Sequence, residues 1–266
     1  MGLDQMDVGL NRFQVRLAKN DADIAAAQRL RYEVFVEEMG ATATQADHAH
    51  RLESDDYDPH FEHLLLIDRM PPHGDERVVG VYRLMKTEIA AQDPGFYGAT
   101  EYDLGPLIAS GRTLVELGRS CVLPSYRGGS AVYQLWNGLA TYVLENKVEI
   151  LFGTASFPGT DLERLAPALR YLSRNHGAPA DLRAKAIGKG AADMDPHPEM
   201  PVSRSEAMLL IPALIKGYLR VGGVVGEGAY VDHDFNTVDI LLMMDTTRMT
   251  ARYREHYITN HAAGIT

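Results

Sequence analysis

The spacing of apolar residues along this chain changes several times, and each change marks an element. Residues 12–18 (RFQVRLA) alternate weakly, the period of a strand. Asn20 then caps a helix with Asp23 near its positive end, and Ile24, Ala27, Leu30 and Val34 recur at helical spacing. A polar stretch from Thr42 to Glu62 reads as a loop rich in acids and histidines. Residues 63–68 (HLLLID) and 77–86 (RVVGVYRLMK) are predicted strands, joined by a turn holding Pro71, Pro72 and Gly74. Residues 88–112 are irregular apart from a short helix near Leu104 to Ser110, and 113–122 (TLVELGRSCV) is a central strand.

Pro124, Gly128 and Gly129 mark the turn after that strand. Val132, Leu135, Trp136, Leu139 and Val143 line one face of a helix ending near Lys147. A strand at 148–155 follows. Thr160 and Glu163 have capping-box spacing and open a helix with Leu162, Leu165, Leu169 and Leu172 inward and Gly177 as its stop. After a long loop come a strand (EAMLLI, 206–211), a helix (212–222) and a last strand (TVDILLMMD, 237–245). Strands alternate with helices only in the second half, which predicts a mixed sheet with helices on both faces. The chain shows no repeat and reads as one domain, 1–266, with a core over about 12–245 and a tail at 246–266.

Composition narrows the function classes. Of 266 residues, 45% are hydrophobic, enough for one sizeable core, yet no run approaches the length of a membrane span. The N-terminus lacks a secretory pattern, and one cysteine, Cys121, excludes an internal disulfide framework and fits a reducing compartment. A net charge of −10 argues against nucleic acid as a partner. Against that background Arg164, Arg170, Arg174, Arg183, Lys185 and Lys189, facing only Asp181, form a local basic zone suited to an acidic partner. His48, His50, His60 and His63 lie in the predicted loop without helical i, i+4 spacing, so no metal site is expected of them.

Four features carry candidate chemistry. Arg31 and Phe35 are four apart on one helical face, and an inward Arg needs acids, for which Glu53, Asp55, Asp56 and Asp58 are close in sequence. Arg83 interrupts the apolar stripe of Val79 and Val81. Glu116 and Arg119 face one cleft only if an extra residue, for which Gly118 is well placed, bulges the strand between them. Finally, a strand, a turn (Arg127, Gly128, Gly129) and a helix starting near Ser130 make an anion site from free backbone N–H groups and the helix dipole.

The segment Pro124-Ser125-Tyr126-Arg127-Gly128 before an amphipathic helix resembles the acyl-donor loop of the GNAT superfamily. Arg31/Phe35, the Asp55–Asp58 D-x-Y-D, Arg83-Leu84 and Glu116/Arg119, in that order, are similar to the acyl-homoserine-lactone synthase branch. The segments RYEVFVEEMGA, ELGRSCVLPSYRGG and LIKGYLRVGG are similar to the ornithine lipid N-acyltransferase family. The resemblance covers roughly residues 12–245. It implies an α/β (α+β), GNAT-like acyl-CoA N-acyltransferase fold with a mostly antiparallel sheet.

It also implies transfer of a 3-hydroxyacyl group from acyl carrier protein to the α-amine of L-ornithine, giving a lyso-ornithine lipid. Glu116 and Arg119 would be catalytic, with Glu116 taking the amine's proton. Arg31, Phe35, Asp55, Asp58 and Arg83 would bind substrate, and Ser120, Cys121, Val122, Arg127, Gly128, Gly129 and Ser130 the acyl donor. Ser130 and Val132 stand where many GNAT enzymes have glycines. A bulky Val hinders approach to a pyrophosphate, which favours a carrier-borne phosphopantetheine over coenzyme A and requires no other cofactor. Ala41 replaces the tryptophan usual in lactone synthases. The expected setting is cytoplasmic, with peripheral contact at the inner membrane. The rival readings are a lactone synthase, a coenzyme A-dependent acetyltransferase, and a non-catalytic acyl- or lipid-binding module.

Overall fold

Asn20 accepts a hydrogen bond from Asp23 N–H and starts helix α1 (Asp21–Arg31), as predicted. The computed structural model describes residues 12–247 except 73, so nearly all of the predicted tail lies outside the described residues. These residues group into two compact units that interleave along the chain. Of the described residues, the first holds 12–90 and 117–148, and the second holds 91–116 and 149–247.

In the first unit, strand β1 (Phe13–Leu17) pairs antiparallel with β2 (Glu62–Asp68), and β2 with β3 (Arg77–Lys86). The central strand β4 (Leu114–Val122) lies beside β3 through its second part, where the Leu123 N–H donates to the Val79 carbonyl. Helix α2 (Ser130–Glu145) packs on β1, β2 and β3. Its buried stripe is Ala131, Leu135, Gly138, Leu139 and Tyr142, rotated from the predicted Val132–Val143 line. Gly138 explains the rotation: a Cβ there would sit 2.2 Å from Val15 Cγ1, so the helix turns its smallest residue toward β1 for close contact. Gly80, on the opposite strand face from Arg83, points toward Leu135, so α2 covers one face of β3 and the Arg83–Arg31 side the other.

In the second unit, β4 pairs parallel with β5 (Ile150–Pro158) over three residues, ending at Glu116 opposite Phe152. β5 pairs antiparallel with β7 (Thr237–Asp245), and β7 with β6 (Ala229–Asp232). Antiparallel pairing predominates, as expected. Helix α3 (Leu162–His176) buries Leu165, Ala168, Leu169 and Leu172, but Asp161, not Thr160, caps it.

Three readings are corrected. Residues 206–211 are not a strand: Ser203 caps the Glu206 N–H and helix α4 (Arg204–Leu210) forms, so an apolar run too short to show its period takes the helical state its cap favours. Helix α5 (Ala213–Arg220) follows as predicted. The 42–62 loop contains a helix, Gln45–His50, closed by a Thr44/Asp47 capping box. Beyond Arg31 the chain winds in a wide π turn, Tyr32–Glu38, so Phe35 is no longer in α register with Arg31.

Candidate functional site

Arg31 leaves the end of α1 fully buried, 0% exposed. It donates to the Glu53 carboxylate and carbonyl, and through Nη1 and Nη2 to Asp58 at 2.6 and 3.0 Å. Arg83, also 0% exposed, donates from Nη1 to Asp55 at 2.6 Å and Asp58 at 2.8 Å, with the Phe61 ring centroid 4.5 Å from its guanidinium carbon. Arg119 donates to Glu53 and Asp55, each at 3.0 Å. The acids expected to pair with Arg31 are thus present, and Arg83 and Arg119 join them in one network in which three guanidinium groups interleave with three carboxylates.

Electrostatics follow from that closure. Burial opposes ionisation of Asp58, but the hydrogen bonds and charges of Arg31 and Arg83 hold its carboxyl well below the usual carboxylate range. Asp55 is lowered in the same way, burial opposing and Arg83 and Arg119 prevailing. Burial also opposes the charge on Arg31, yet Glu53 and Asp58 raise its pKa overall. His63 sits directly opposite Arg83 in the register of β2 and β3, and burial lowers its pKa. Its part was not visible in the sequence, where it reads as the first residue of the 63–68 strand and the last of four histidines without metal-ligand spacing.

The predicted irregularity in β4 exists one residue later than expected. Arg119 itself has φ of 48°, the left-handed region that side chains rarely adopt, while Gly118 does not. A Cβ at Gly118 would make only ordinary contacts, 3.7 Å from Arg83 Nε and from Phe61, so space there does not demand glycine. Arg119 is bound within the first unit, and Glu116 within the second. Glu116 is 2% exposed, and its two oxygens accept the Tyr97 N–H at 2.8 Å and the Gly98 N–H at 2.6 Å. A carboxylate so held fixes the 97–101 turn; Phe96, edge-on to Phe152 at 5.0 Å between ring centroids, anchors its start.

At the head of α2, Gly128 has φ of 75° and Gly129 is the N-cap, with no side chain capping the helix. Neither glycine would meet any atom within 4 Å if given a Cβ, so the backbone there is open on its outer side. Arg127 is turned away from this opening: it donates to Glu38 at 2.6 and 2.7 Å and to the Val122 carbonyl. Ser120 and Val122 are half-buried and Cys121 is buried, and burial pushes the Cys121 thiol up to about 12.

The basic zone is less open than its sequence promised. Arg170 is buried, and both Arg170 and Arg174 bind Asp195; Lys185 pairs with Glu227 at 2.8 Å. Those acids lie 21 to 42 positions away along the chain, beyond the window from which the zone was read.

Comparisons with known proteins give the family and the fold. Residues 30–137 match the acetyltransferase (GNAT) domain. The L-ornithine N(alpha)-acyltransferase of Rhodobacter capsulatus is 50% identical over 246 residues, 92% of this chain and 94% of that protein. The protein of the same name from Agrobacterium fabrum is 38% identical over 251 residues, 93% of this chain and 86% of that one. Among solved structures, an N-acyl amino acid synthase from uncultured soil microbes shares the fold, with a TM-score of 0.51 at 13% identity over 90% of this chain and 94% of that one.

Proposed function

We propose a reaction for this chain, which belongs to the L-ornithine N(alpha)-acyltransferase family and is an acyltransferase of GNAT fold. It transfers a 3-hydroxyacyl group from the phosphopantetheine thioester of acyl carrier protein to the α-amine of L-ornithine. The observation that carries this reading is the 50% identity to a relative of that name along nearly the whole chain.

In this reading the amine nitrogen attacks the thioester carbonyl. The C–N bond forms, the C–S bond breaks, and the carrier leaves as its thiol. An α-ammonium must first lose a proton, and Glu116, held by the Tyr97 and Gly98 N–H groups, accepts it directly or through water. Backbone N–H groups near Ser120, Cys121 and Val122 hold the oxyanion. The uncapped head of α2, with Gly128, Gly129 and Ser130, takes the phosphopantetheine phosphate, and the dipole of a 16-residue helix supports it. Arg127 holds the donor loop in shape through Glu38. Phe35 and Asp55, half-buried, touch substrate, while Arg31, Asp58, Arg83 and Arg119 set the surface beneath them. A carrier-borne donor and an amphiphilic product suit a cytoplasmic enzyme at the periphery of the inner membrane, and no described helix is long and apolar enough to cross one.

The test mixes purified protein, 3-hydroxyacyl carrier protein and labelled ornithine, and counts lipid-soluble label, with Glu116→Gln alongside. Label that falls in the variant supports reaction and site together. Label only with a different amino acid keeps the chemistry and changes the acceptor; no label with any acceptor rejects the reading.

A further inference from the structure

The second unit carries a polar constellation that the reaction above leaves unused. In the register of β6 and β7, Asp232 lies opposite Thr237 and Tyr230 opposite Asp239. Residues directly opposite share a face, and so do residues two apart on a strand, so Asp232, Thr237 and Asp239 project to one side. Glu101 reaches the same spot from the end of the turn that Glu116 holds: one carboxylate oxygen from each of Glu101, Asp232 and Asp239 lies within 4.8 Å of the others. Glu101 is 3% exposed and Asp239 4%.

Three carboxylate groups this close, two of them shielded from water, make a setting that favours a cation among them. The neighbouring Tyr102 senses the same field. Its hydroxyl donates toward the Asp239 and Gly228 carbonyls, and burial, followed by the charges of Glu101 and Asp239, pushes its phenol well above the ordinary value.

An independent observation points to a ligand. Thr237 is 1% exposed, and its hydroxyl has no hydrogen-bond partner among the described residues, although it projects beside Asp239 and opposite Asp232. A buried hydroxyl left without a partner is costly. A cavity of about 770 Å³ is lined by Glu101 and Asp232 of this group, with Tyr97, Lys189, Tyr230 and His233 among its other walls, while Asp239 and Thr237 lie buried behind them. Gly190 keeps that wall tight, because a Cβ there would lie 2.7 Å from the Tyr230 ring and the Val231 carbonyl.

We propose that Glu101, Asp232 and Asp239, with Thr237 beside them, bind the side-chain ammonium of a diamino-acid acceptor. The proposal rests on the reading of the chain as an amino-acid N-acyltransferase and names the element that selects its acceptor. An ammonium brings three donors and one positive charge to three carboxylates and a hydroxyl. A divalent metal is the poorer occupant, since calcium and magnesium take six or more oxygen ligands. The fold also links the two ends of such an acceptor. Glu116 clamps Tyr97 and Gly98, and the same turn delivers Glu101, so one rigid segment spans from the proposed proton acceptor to the ammonium pocket.

The test compares L-ornithine with L-norvaline, which has the same carbon chain and no side-chain amine. Binding of each to the full chain is measured by calorimetry, and acyl transfer to each by label, for the wild type, Asp239→Asn, Glu101→Gln and Thr237→Val. The wild type should prefer ornithine by about tenfold or more, a typical effect of a buried charge pair. Asp239→Asn and Glu101→Gln should remove that preference by weakening ornithine alone, and Thr237→Val, of matched shape, should weaken it by a few-fold. Equal affinity of the wild type for the two amino acids, a result that needs no variant to fold, would overturn the proposal. So would equal losses for both in the variants, or a rise in Tm with magnesium or calcium chloride that the variants abolish. Selective ornithine binding through these acids without acyl transfer would uphold the pocket and reject the acyltransferase reading.

Discussion

Each unit holds a buried group of acids, and the two groups are built on opposite principles. In the first, Glu53, Asp55 and Asp58 alternate with Arg31, Arg83 and Arg119, and the charges cancel where they stand. In the second, Glu101, Asp232 and Asp239 bring like charges together. A cancelled network chiefly holds segments distant in the chain in one arrangement, with Asp55 its most exposed acid and two Arg83 nitrogens, Nε and Nη2, making no hydrogen bond among the described residues. A group of like charges costs stability in the free protein and is set up to receive a cation. Removing one member should therefore have opposite consequences in the two places.

The largest effect is expected in the first network. Arg31→Met should cost about 3–5 kcal/mol of folding stability, because it strands Glu53 and Asp58 without their shared counter-charge. Asp239→Asn in the second unit should instead leave stability unchanged or raise it by about 1 kcal/mol while acceptor selectivity falls, the exchange typical of functional sites. Denaturant titration of both variants checks the contrast, and parallel losses would erase it.

Glu116→Gln should be next in size, lowering kcat by about 100-fold or more. The amide would aim an N–H at the Tyr97 or Gly98 N–H, so the turn loosens as the proton acceptor is lost. The pH profile separates the two roles: a proton acceptor takes the acid limb of the profile with it, whereas a residue that only holds the turn leaves that limb in place.

Much of the first network was legible because its members stand in short, ordered motifs. An Arg at the inward end of a helix needs an acid, and D-x-Y-D supplies two within thirty residues. Most strand positions along the chain, the two long helices beyond α1, and the turn at Gly128 and Gly129 were also readable from period and turn chemistry. The second group was not, because Glu101 reaches the local hairpin of Asp232 and Asp239 from more than a hundred residues away in the chain. A trace existed: Thr237 and Asp239 are polar residues on one face of an otherwise apolar strand, the same signal that singled out Arg83. The strand expected at 206–211 failed for want of length, and the rotated face of α2 because Gly138 obeys its contact with Val15 and not the hydrophobic count.

A milder probe of the same contrast is pH. The Asp58 carboxyl is held below its ordinary value in the folded chain, so it binds fewer protons there than when unfolded. Its contribution to stability is complete above the unfolded value of about 3.9 and is lost as pH falls through the lower folded one. Unfolding free energy should decline from about pH 5 downward. Asp58→Asn should flatten that slope while lowering the plateau at pH 7, and an unchanged slope would show that the network does not govern acid stability.

The smallest effect is expected at Cys121, the one thiol in the chain. It lies in β4 between residues proposed to hold the acyl donor, where a nucleophilic cysteine would convert direct transfer into a covalent acyl-enzyme. Burial pushes its thiol to about 12, so on the order of one molecule in 10⁵ carries a thiolate at pH 7. Reactive cysteines are partly exposed and electropositive in setting, and this one is 7% exposed. Cys121→Ala should cost about 1 kcal/mol of stability through lost packing and leave kcat within about twofold. Rapid mixing of wild type with acyl carrier protein in the absence of amine should release no burst of carrier thiol. A burst equal to the enzyme concentration, together with an inactive alanine variant, would replace direct attack with a two-step transfer through Cys121, and Glu116 would then act on the second step alone.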